Sequence, residues 1–389
     1  MRDVVLKPGR ERSLRRRHPW VLSGSVADGG GEASPGEWVR VVSAEGEVLG
    51  FGHVSPASQI RVRMLYFGKE APGDGLLVER IEAAVARRAG DPLLESTDAV
   101  RLVNAEGDGL PGLVVDRYGD TAVVRLSSAG MAARRDLLIR SLRSACGVSA
   151  GYERADAPAA RREGVAPAEG AWWGAPPPER LTIHEGERSY AVNVLHGQKT
   201  GFYLDQRDAR ERVERLAQGR RVLDLFSYSG GFAVAAARGG AARVTLVESS
   251  ADALDLARHN LEANAPDTDA RFERSDAFRF VRGCEERFDL IVIDPPPLAR
   301  RRNDVTRATR AYKDVLLFAL HRAAPGARIL CFSCSHHVGP DLFRKVCFGA
   351  SLDAKRPLQV VGELGLPSDH PVALDHPEGR YLSGLDLLA

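Results

Sequence analysis

The sequence has few cysteines and no long apolar run, and both shortages restrict what the protein can be. Five cysteines are spread over 389 residues, an odd and sparse set unlike the dense, even sets that cross-link small secreted folds. No stretch approaches the roughly 18 apolar residues that a membrane helix requires, and the first residues lack the apolar core of a secretory signal. We therefore expect reduced thiols, a cytoplasmic location and no membrane partner.

A charge excess of either sign is also missing. The chain has 54 basic and 52 acidic residues and a formal net charge of +2, which argues against a surface that binds nucleic acid everywhere. With 44% hydrophobic and 27% charged residues, the composition is that of folded globular proteins. At this length two or three domains are expected. Any basic binding site must be local.

The sequence patterns predict an α/β protein with three regions. Residues 1–72 contain short strands from Glu37 onward, punctuated by glycine as in a small β-barrel. Residues 73–190 mix helix and strand patterns with an Ala/Pro/Gly-rich tract, Ala155–Pro178, that is predicted to be a loop. Residues 191–389 form the third region, in which apolar strands alternate with amphipathic helices from Arg221 on; this pattern indicates a mainly parallel sheet with helices around it.

The strongest basic cluster lies near the N-terminus. Residues 7–17 include six cations and one carboxylate, and a solvated charge run is one explanation of such a cluster. An imidazole and an indole beside the arginines favour RNA, because ring and guanidinium faces stack on bases. The residues predicted to contact RNA are Arg15, Arg16, Arg17, His18 and Trp20.

The first two strands of the alternating region indicate a nucleoside-bearing cofactor. Asp224 lies near the end of the first strand, and Gly230 and Gly231 in the following loop allow a ligand to approach the backbone. Ligands of open α/β sheets bind beyond the carboxyl ends of the strands. Glu248 ends the second strand, where its carboxylate can accept hydrogen bonds from both ribose hydroxyls.

The glycine spacing favours S-adenosylmethionine over a dinucleotide. A dinucleotide site prefers Gly-x-Gly-x-x-Gly around a pyrophosphate, which an upstream carboxylate such as Asp224 would repel. S-adenosylmethionine has no phosphate and carries an ammonium and a sulfonium. Asp276, after the third strand, is placed either to meet the adenine amino group or to cap a helix. The cofactor residues predicted here are Asp224, Phe226, Ser227, Tyr228, Gly230, Glu248 and Asp276.

An acid follows the fourth strand and a thiol follows the fifth. Pro295 and Pro296 stiffen the loop after Asp294, so that its carboxyl group can hold the edge of a planar base; a purely structural turn is the alternative. Cys331 and Cys334 form a Cys-x-x-Cys pair, but residues three apart on a strand face opposite ways and no second pair completes a ligand set. We therefore predict no metal site.

A thiolate beside a methyl donor has a specific use. Attack by Cys334 at carbon 6 of a pyrimidine would make carbon 5 nucleophilic enough to accept a methyl group. Asp294 would hold or protonate ring nitrogen 3 as charge develops. Cytosine suits this combination, so Cys334 and Asp294 are the predicted catalytic residues.

Several segments together resemble the RlmI-type family of 23S ribosomal RNA methyltransferases, which make 5-methylcytosine. The resemblance covers the whole chain and is more specific than any single motif. The segments that carry it are Leu6–Glu11, Arg16–Val21, Asn104–Gly112, Lys199–Arg207, Phe226–Phe232, Phe332–Ser335 and Asp369–Pro371.

The resemblance implies a PUA barrel that docks RNA, a middle α/β domain with a β-hairpin, and a Rossmann-like methyltransferase domain with Cys334 at the nucleophile position. The sequence departs from the family pattern at Pro297 and Leu298, where the family usually has Lys and Phe, so we expect the base-stacking surface to differ from that of the family. We interpret Lys199–Arg207, which contains Gln206, as a cofactor lid; a turn that joins domains is the alternative.

The leading hypothesis is methylation of carbon 5 of a cytosine in 23S ribosomal RNA through a covalent bond to Cys334, with S-adenosylmethionine as donor. A homodimer is left open. One alternative is methylation of a base nitrogen, in which Asp294, Pro295 and Pro296 orient the amine without a covalent step. The other is a ribosome-assembly factor that binds RNA and has lost catalysis.

Overall fold

Residues 1–299 and 301–389 are described by a computed structural model, and their contacts separate into two units. The first unit contains Met1–Ile183, Asn193–Leu204 and Ser368–Gly379, and the second contains the remaining described residues. Both units therefore combine segments that are far apart in sequence. The division into three consecutive domains stays a prediction.

The N-terminal sheet begins earlier in the chain than the sequence pattern predicted. Val4 and Leu6 are buried at alternating positions, so residues before the basic cluster form a strand that pairs in parallel with a later one. The sheet has the order β2-β6-β5-β4-β1-β3. Its strands are β1 (Arg2–Leu6), β2 (Trp20–Leu22), β3 (Val26–Asp28), β4 (Trp38–Val42), β5 (Val48–Val54) and β6 (Ile60–Tyr66), with helix α1 (Arg12–Arg15) after β1.

The middle of the chain forms a second sheet with the order β11-β10-β9-β8-β7. Strands β8 and β9 are antiparallel neighbours joined by a short turn, which gives the hairpin that the family resemblance implies. The elements are helix α2 (Gly75–Ala89), β7 (Ala99–Asn104), β8 (Leu113–Tyr118), β9 (Thr121–Leu126), α3 (Ala129–Ala132), α4 (Arg135–Ala145), β10 (Ala150–Glu153), α5 (Ala157–Glu163) and β11 (Gly170–Trp173).

The prediction that Ala155–Pro178 is a loop is wrong, because α5 and β11 lie within it. The Asp156 side chain caps α5 by accepting a hydrogen bond from the Ala159 amide at 3.0 Å. Gly164, with a φ of 70°, ends the helix in the left-handed conformation. Local capping therefore creates regular structure that the low-complexity composition conceals.

The C-terminal region forms a largely parallel sheet with the order β16-β15-β14-β17-β18-β20-β19, in which β20 runs antiparallel to both neighbours. Its strands are β14 (Arg221–Leu225), β15 (Arg243–Glu248), β16 (Ala270–Arg274), β17 (Phe288–Ile293), β18 (Ala323–Ser333), β19 (Gln359–Leu364) and β20 (Ser383–Leu388). A separate two-stranded sheet pairs β12 (Leu181–Glu185) with β13 (Arg188–Val192).

Helices connect the strands of this sheet, as the alternating pattern predicted. They are α6 (Arg207–Leu216), α7 (Gly231–Arg238), α8 (Ala251–Asn264), α9 (Ala277–Gly283), α10 (Val305–Arg322) and α11 (Pro340–Asp353). Apolar residues of the central strands, such as Leu223, Ile291 and Ile329, are fully buried against them. The α/β fold class is thus confirmed. None of the helices in the described ranges is long and apolar enough to cross a membrane.

Two of the motif segments build a buried polar network in the first unit. Both oxygens of Asp108 accept hydrogen bonds from Arg88 at 2.8 Å, and Arg88 also donates to the carbonyl of Asp369 at 2.8 Å. The Asn104 side chain donates to the carbonyl of Pro371 at 2.9 Å. Asn104–Gly112 and Asp369–Pro371 therefore hold distant parts of the chain together.

The buried pair of Asp108 and Arg88 leads to a stability prediction. Replacing Asp108 with asparagine should lower the free energy of unfolding by about 3–5 kcal/mol, because Arg88 would stay buried without a counter-charge. Burial alone raises the pKa of Asp108, but the hydrogen bonds and charge of Arg88 outweigh it, and the net pKa lies below its usual value.

The sign of the pH effect follows from that lowered pKa. The stabilisation by Asp108 is complete above the carboxyl pKa of the unfolded chain, about 3.9, and is lost as the pH falls through the lower pKa of the folded state. In urea unfolding from pH 7 to 2, Asp108→Asn should therefore lose less stability than the wild type. The exposed Asp136→Asn serves as the control; equal stability of the two variants would contradict the prediction.

Candidate active site

The strand order brings the predicted site residues to one edge of the C-terminal sheet. Strand β14 lies between β15 and β17, and all three run in parallel, so their carboxyl ends meet at the point where the strand order reverses. Open α/β sheets bind ligands in the crevice at such a switch point. Strand β18 follows β17 in the same direction and delivers Cys334 to this edge.

The loop after β14 has an unusual backbone. Phe226 and Tyr228 have φ values of 63° and 46°, which side-chain-bearing residues rarely adopt, and Gly230 has a φ of 78°. A Cβ atom on Gly230 would lie 3.0 Å from the Cβ of Ala257, so close packing against α8 also favours glycine. A simple strand-to-helix connection would not require these positive φ values.

Glu248 is fixed beside this loop. Its Oε2 accepts a hydrogen bond from the Tyr228 amide at 3.1 Å, and its Oε1 accepts from the Ser250 amide at 2.9 Å. An ionised carboxylate has about four acceptor positions, so it can accept further hydrogen bonds. Asp276 caps α9 through the Arg279 amide at 2.9 Å; the helix-capping alternative is therefore present.

Asp224 is buried without a compensating charge. The residue is 1% exposed, and none of the described residues donates a hydrogen bond of standard geometry to either carboxylate oxygen. Burial raises the pKa of Asp224 well above its usual value, and the negative charges of Asp294 and Glu248 raise it further, against the opposing effect of the Ala233 amide. This carboxyl group is suited to a positively charged ligand.

Gln206 lies against the predicted catalytic acid. Its Nε2 donates to Oδ2 of Asp294 at 3.0 Å, and the residue is 2% exposed. The amide therefore orients Asp294, a contact that the cofactor-lid interpretation did not anticipate. The neighbouring Asp205 accepts a hydrogen bond from the Tyr381 hydroxyl at 2.8 Å, and no sequence pattern pointed to Tyr381.

The thiol of Cys334 lies beside the loop that carries Asp294. Its Sγ is 3.5 Å from the carbonyl oxygen of Pro295. The next residue, Ser335, is 2% exposed, and its Oγ accepts a hydrogen bond from the Ala299 amide at 3.1 Å and lies 3.0 Å from the Tyr312 hydroxyl. One buried hydroxyl thus connects the loop after β17, the loop after β18 and helix α10.

The other half of the Cys-x-x-Cys pair points into the core. Cys331 is 3% exposed, and its Sγ lies 3.9 Å from Sγ of the buried Cys347. The two cysteines of the pair therefore face different surroundings, as the strand geometry predicted.

The predicted RNA contacts at the N-terminus lie in the first unit. Arg15 forms an ion pair with Glu47. The Trp20 indole donates to Glu106 at 2.9 Å, and its ring packs edge-on against His376 with centroids 4.5 Å apart. Trp20 and His18 therefore have partners within their own unit, while Arg16 and Arg17 are exposed.

His18, His376 and Glu378 approach each other closely enough to suggest metal ligands. The Trp20 amide donates to Nδ1 of His18 at 3.1 Å, which places the proton of the neutral ring on Nε2. Nε2 lies 3.2 Å from Glu378 and donates to it. Hydrogen bonding accounts for His18 and Glu378, whereas Nδ1 of the buried His376 lies 3.3 Å from Glu378 without a hydrogen bond of standard geometry from the described residues. The absence of a metal stays a prediction.

Comparison with known proteins defines the class of this site. Residues 134–372 match the S-adenosylmethionine-dependent methyltransferase family, and residues 4–67 match the PUA-like domain family. Two solved structures share the fold over 100% of both chains: a protein of Streptococcus mutans assigned as a SAM-dependent methyltransferase (24% identity, TM-score 0.85), and an assigned methyltransferase complexed with SAH (23%, 0.87). The chain is an S-adenosylmethionine-dependent methyltransferase with an N-terminal PUA-like domain.

Curated relatives give the particular family. The chain is 42% identical to ribosomal RNA large subunit methyltransferase I of Erwinia tasmaniensis over 98% of both chains. It is 41% identical to the protein of the same name from Escherichia coli O1:K1, again over 98% of both chains. The chain belongs to the ribosomal RNA large subunit methyltransferase I family. The predicted family, cofactor and enzyme class are thereby confirmed.

The buried charge of Asp224 predicts a trade of stability for ligand binding. Because the pKa of Asp224 is raised, its ionised form is unfavourable in the cofactor-free fold, and the stability cost grows as the pH rises through that pKa. Asp224→Asn should therefore raise the free energy of unfolding at pH 8 by about 1–3 kcal/mol. Urea unfolding without cofactor, with the exposed Asp255→Asn as control, checks this; a destabilised Asp224→Asn would contradict it.

Proposed function

We propose that this chain methylates carbon 5 of a cytosine in 23S ribosomal RNA and that Cys334 bonds to the base during the reaction. The names of the relatives, which cover 98% of this chain, support a ribosomal RNA substrate. The chemistry is supported by one distance. Sγ of Cys334 lies 3.5 Å from the backbone oxygen of Pro295, which follows Asp294 in the loop after β17, called the acid loop below.

The residues at the carboxyl end of β14 and β15 fit S-adenosylmethionine. Asp224 would bind the ammonium of the methionine moiety. The ammonium would supply the positive counter-charge that this buried carboxylate lacks. Glu248 would accept hydrogen bonds from the ribose hydroxyls. Asp276 would contact the adenine amino group with the oxygen that does not cap α9. The loop residues Phe226, Ser227, Tyr228 and Gly230 would line the remaining contact surface.

When bound, S-adenosylmethionine supplies an electrophilic methyl group. The thiolate of Cys334 attacks carbon 6 of the cytosine while Asp294 gives a proton to ring nitrogen 3, which makes carbon 5 nucleophilic. After carbon 5 has taken the methyl group, a base removes the proton from carbon 5 and the carbon–sulfur bond breaks. Nitrogen 3 then returns its proton to Asp294, and the thiolate is regenerated.

Gln206 would act as a positioning residue for this acid. Its Nε2 donates a hydrogen bond to Oδ2 of Asp294 at 3.0 Å, and this contact would fix the orientation of the carboxyl group toward the base. Pro295 and Pro296 have no backbone N–H and hold the loop in place, so they would support the base without competing for its hydrogen bonds.

RNA would also contact the first unit. A PUA-like domain with exposed Arg16 and Arg17 offers charge for phosphates, with Arg15 beside them. His18 and Trp20 would need to exchange or share their present partners to stack on a base. A cytoplasmic location and a homodimer stay predictions.

Replacing Cys334 tests the covalent step. Cys334→Ala should abolish 5-methylcytosine formation, a loss of at least about 10³-fold in rate, while S-adenosylmethionine still binds with wild-type affinity. Cys284→Ala is the control. Mass spectrometry of nucleosides from the large-subunit RNA of cells that lack the protein, treated with each variant, gives the product.

Three outcomes distinguish the hypotheses. Unchanged turnover of Cys334→Ala with a nitrogen-methylated product would establish the non-covalent alternative. A wild-type protein that binds RNA and no cofactor would establish the assembly-factor alternative. RNA with 5-fluorocytosine should trap the wild type as a covalent complex, because the fluorine on carbon 5 cannot leave as a proton does.

Replacing Asp224 tests the cofactor assignment. Asp224→Asn should weaken S-adenosylmethionine binding about 10–100-fold, as expected for the loss of a charged hydrogen bond. Calorimetry should show the same loss for S-adenosylhomocysteine, which keeps the ammonium and lacks the sulfonium. Unaltered affinities would overturn this role, and a loss confined to S-adenosylmethionine would assign the carboxylate to the sulfonium.

A further inference from the structure

A group of exposed arginines follows the acid loop of the second unit directly. Arg301, Arg302, Arg307 and Arg310 are all exposed, although the chain as a whole is nearly neutral. Arg307 pairs with Asp304 at 3.1 Å. Among the described residues, Arg301, Arg302 and Arg310 have no acidic partner within ion-pair distance. Their positive charge is therefore available to another molecule.

The structure fixes both ends of this arginine segment next to Cys334. The Ala299 amide donates to Oγ of Ser335, and the Tyr312 hydroxyl lies 3.0 Å from the same oxygen. Consecutive Cα atoms are about 3.8 Å apart, so the Cα of Arg301 lies within about 8 Å of that of Ala299. Arg310 precedes Tyr312 by two residues on α10.

The buried face of α10 determines which way these arginines can project. Ala308, Tyr312 and Val315 face the core of the second unit. Arg310 lies on the opposite, exposed side of the helix, and Arg301 and Arg302 lie in the exposed connection before it. The three charges therefore lie on the solvent side of a segment whose two flanking residues, Ala299 and Tyr312, contact Ser335.

We propose that Arg301, Arg302 and Arg310 form a phosphate-binding surface for the RNA strand that carries the target cytosine. This proposal rests on the proposed function, because it requires an RNA substrate at Cys334. Phosphate contacts fix the register of a nucleic acid without reading its sequence, and an enzyme that attacks a base must hold the strand on both sides of it. Guanidinium groups suit this task, since they bind phosphate oxygens in pairs.

This surface is separate in sequence from the N-terminal basic cluster. The N-terminal arginines belong to the first unit, whereas Arg301, Arg302 and Arg310 belong to the second. The chain would thus bring phosphate-binding charge of its own to the catalytic sheet.

The test compares two triple variants that each remove three positive charges. The first is Arg301→Gln, Arg302→Gln and Arg310→Gln. The second, as matched control, is Arg140→Gln, Arg143→Gln and Arg161→Gln, whose arginines are exposed and have no acidic partner within ion-pair distance in the described residues. The probe is a short fluorescent single-stranded RNA that contains cytosine, titrated with full-length protein at several salt concentrations.

The first variant should bind the RNA at least about 10-fold more weakly at low salt. The slope of log affinity against log salt concentration should become shallower by about 2, because each of the three lost phosphate contacts contributes about 0.7. The control should keep the wild-type slope. A third variant with lysine at the three positions should regain most of the affinity. Unchanged binding of S-adenosylmethionine shows that each variant is folded. If the first triple variant does not fold, Arg302→Gln alone replaces it.

Three results would overturn the proposal. A first variant with the slope and affinity of the control would do so while leaving the Cys334 chemistry intact. A wild-type protein that fails to bind RNA would overturn the proposed function and this surface together. If the lysine variant lost as much affinity as the glutamine variant, this result would also contradict a role in phosphate binding.

Discussion

Parallel pairing of β14, β17 and β18 is the constraint on which the site depends. Leu225 pairs with Ile293, and Ile293 pairs with Cys331, so the three strands end at nearly the same level of the sheet. The residues that follow each strand must therefore share one edge, whatever their distance in sequence. A shift between β17 and β18 would separate Cys334 from the loop that carries Asp294, and a shift between β14 and β17 would move Asp224 relative to that loop.

Three carboxyl groups lie at this edge of the sheet, and each has different surroundings. Asp224 is buried, Glu248 is bound by backbone amides, and Asp294 is bound by Gln206. A cationic methyl donor relieves the repulsion among these groups. The exposed arginines after the acid loop carry the opposite charge, which suits a polyanionic substrate. Under the proposed function, donor and acceptor would thus be attracted to neighbouring regions by charges of opposite sign.

The sequence was sufficient for features that depend on periodicity and on strand ends. Alternating apolar strands predicted the parallel sheet, and the position of Asp224, Asp294 and Cys334 at strand ends predicted that they meet. Contacts between distant segments were not predictable: Gln206 and Asp294 are 88 residues apart, and no local pattern connects them. Helix α5 was missed because a single capping aspartate and a terminal glycine determine it within an alanine-rich tract.

The segment Ser368–Gly379 belongs to the first unit although it lies close to the end of the chain. Arg88 and Asn104 need the carbonyl groups of Asp369 and Pro371 as acceptors. During synthesis, these two contacts therefore cannot form until the second-unit residues that precede Ser368 have been made.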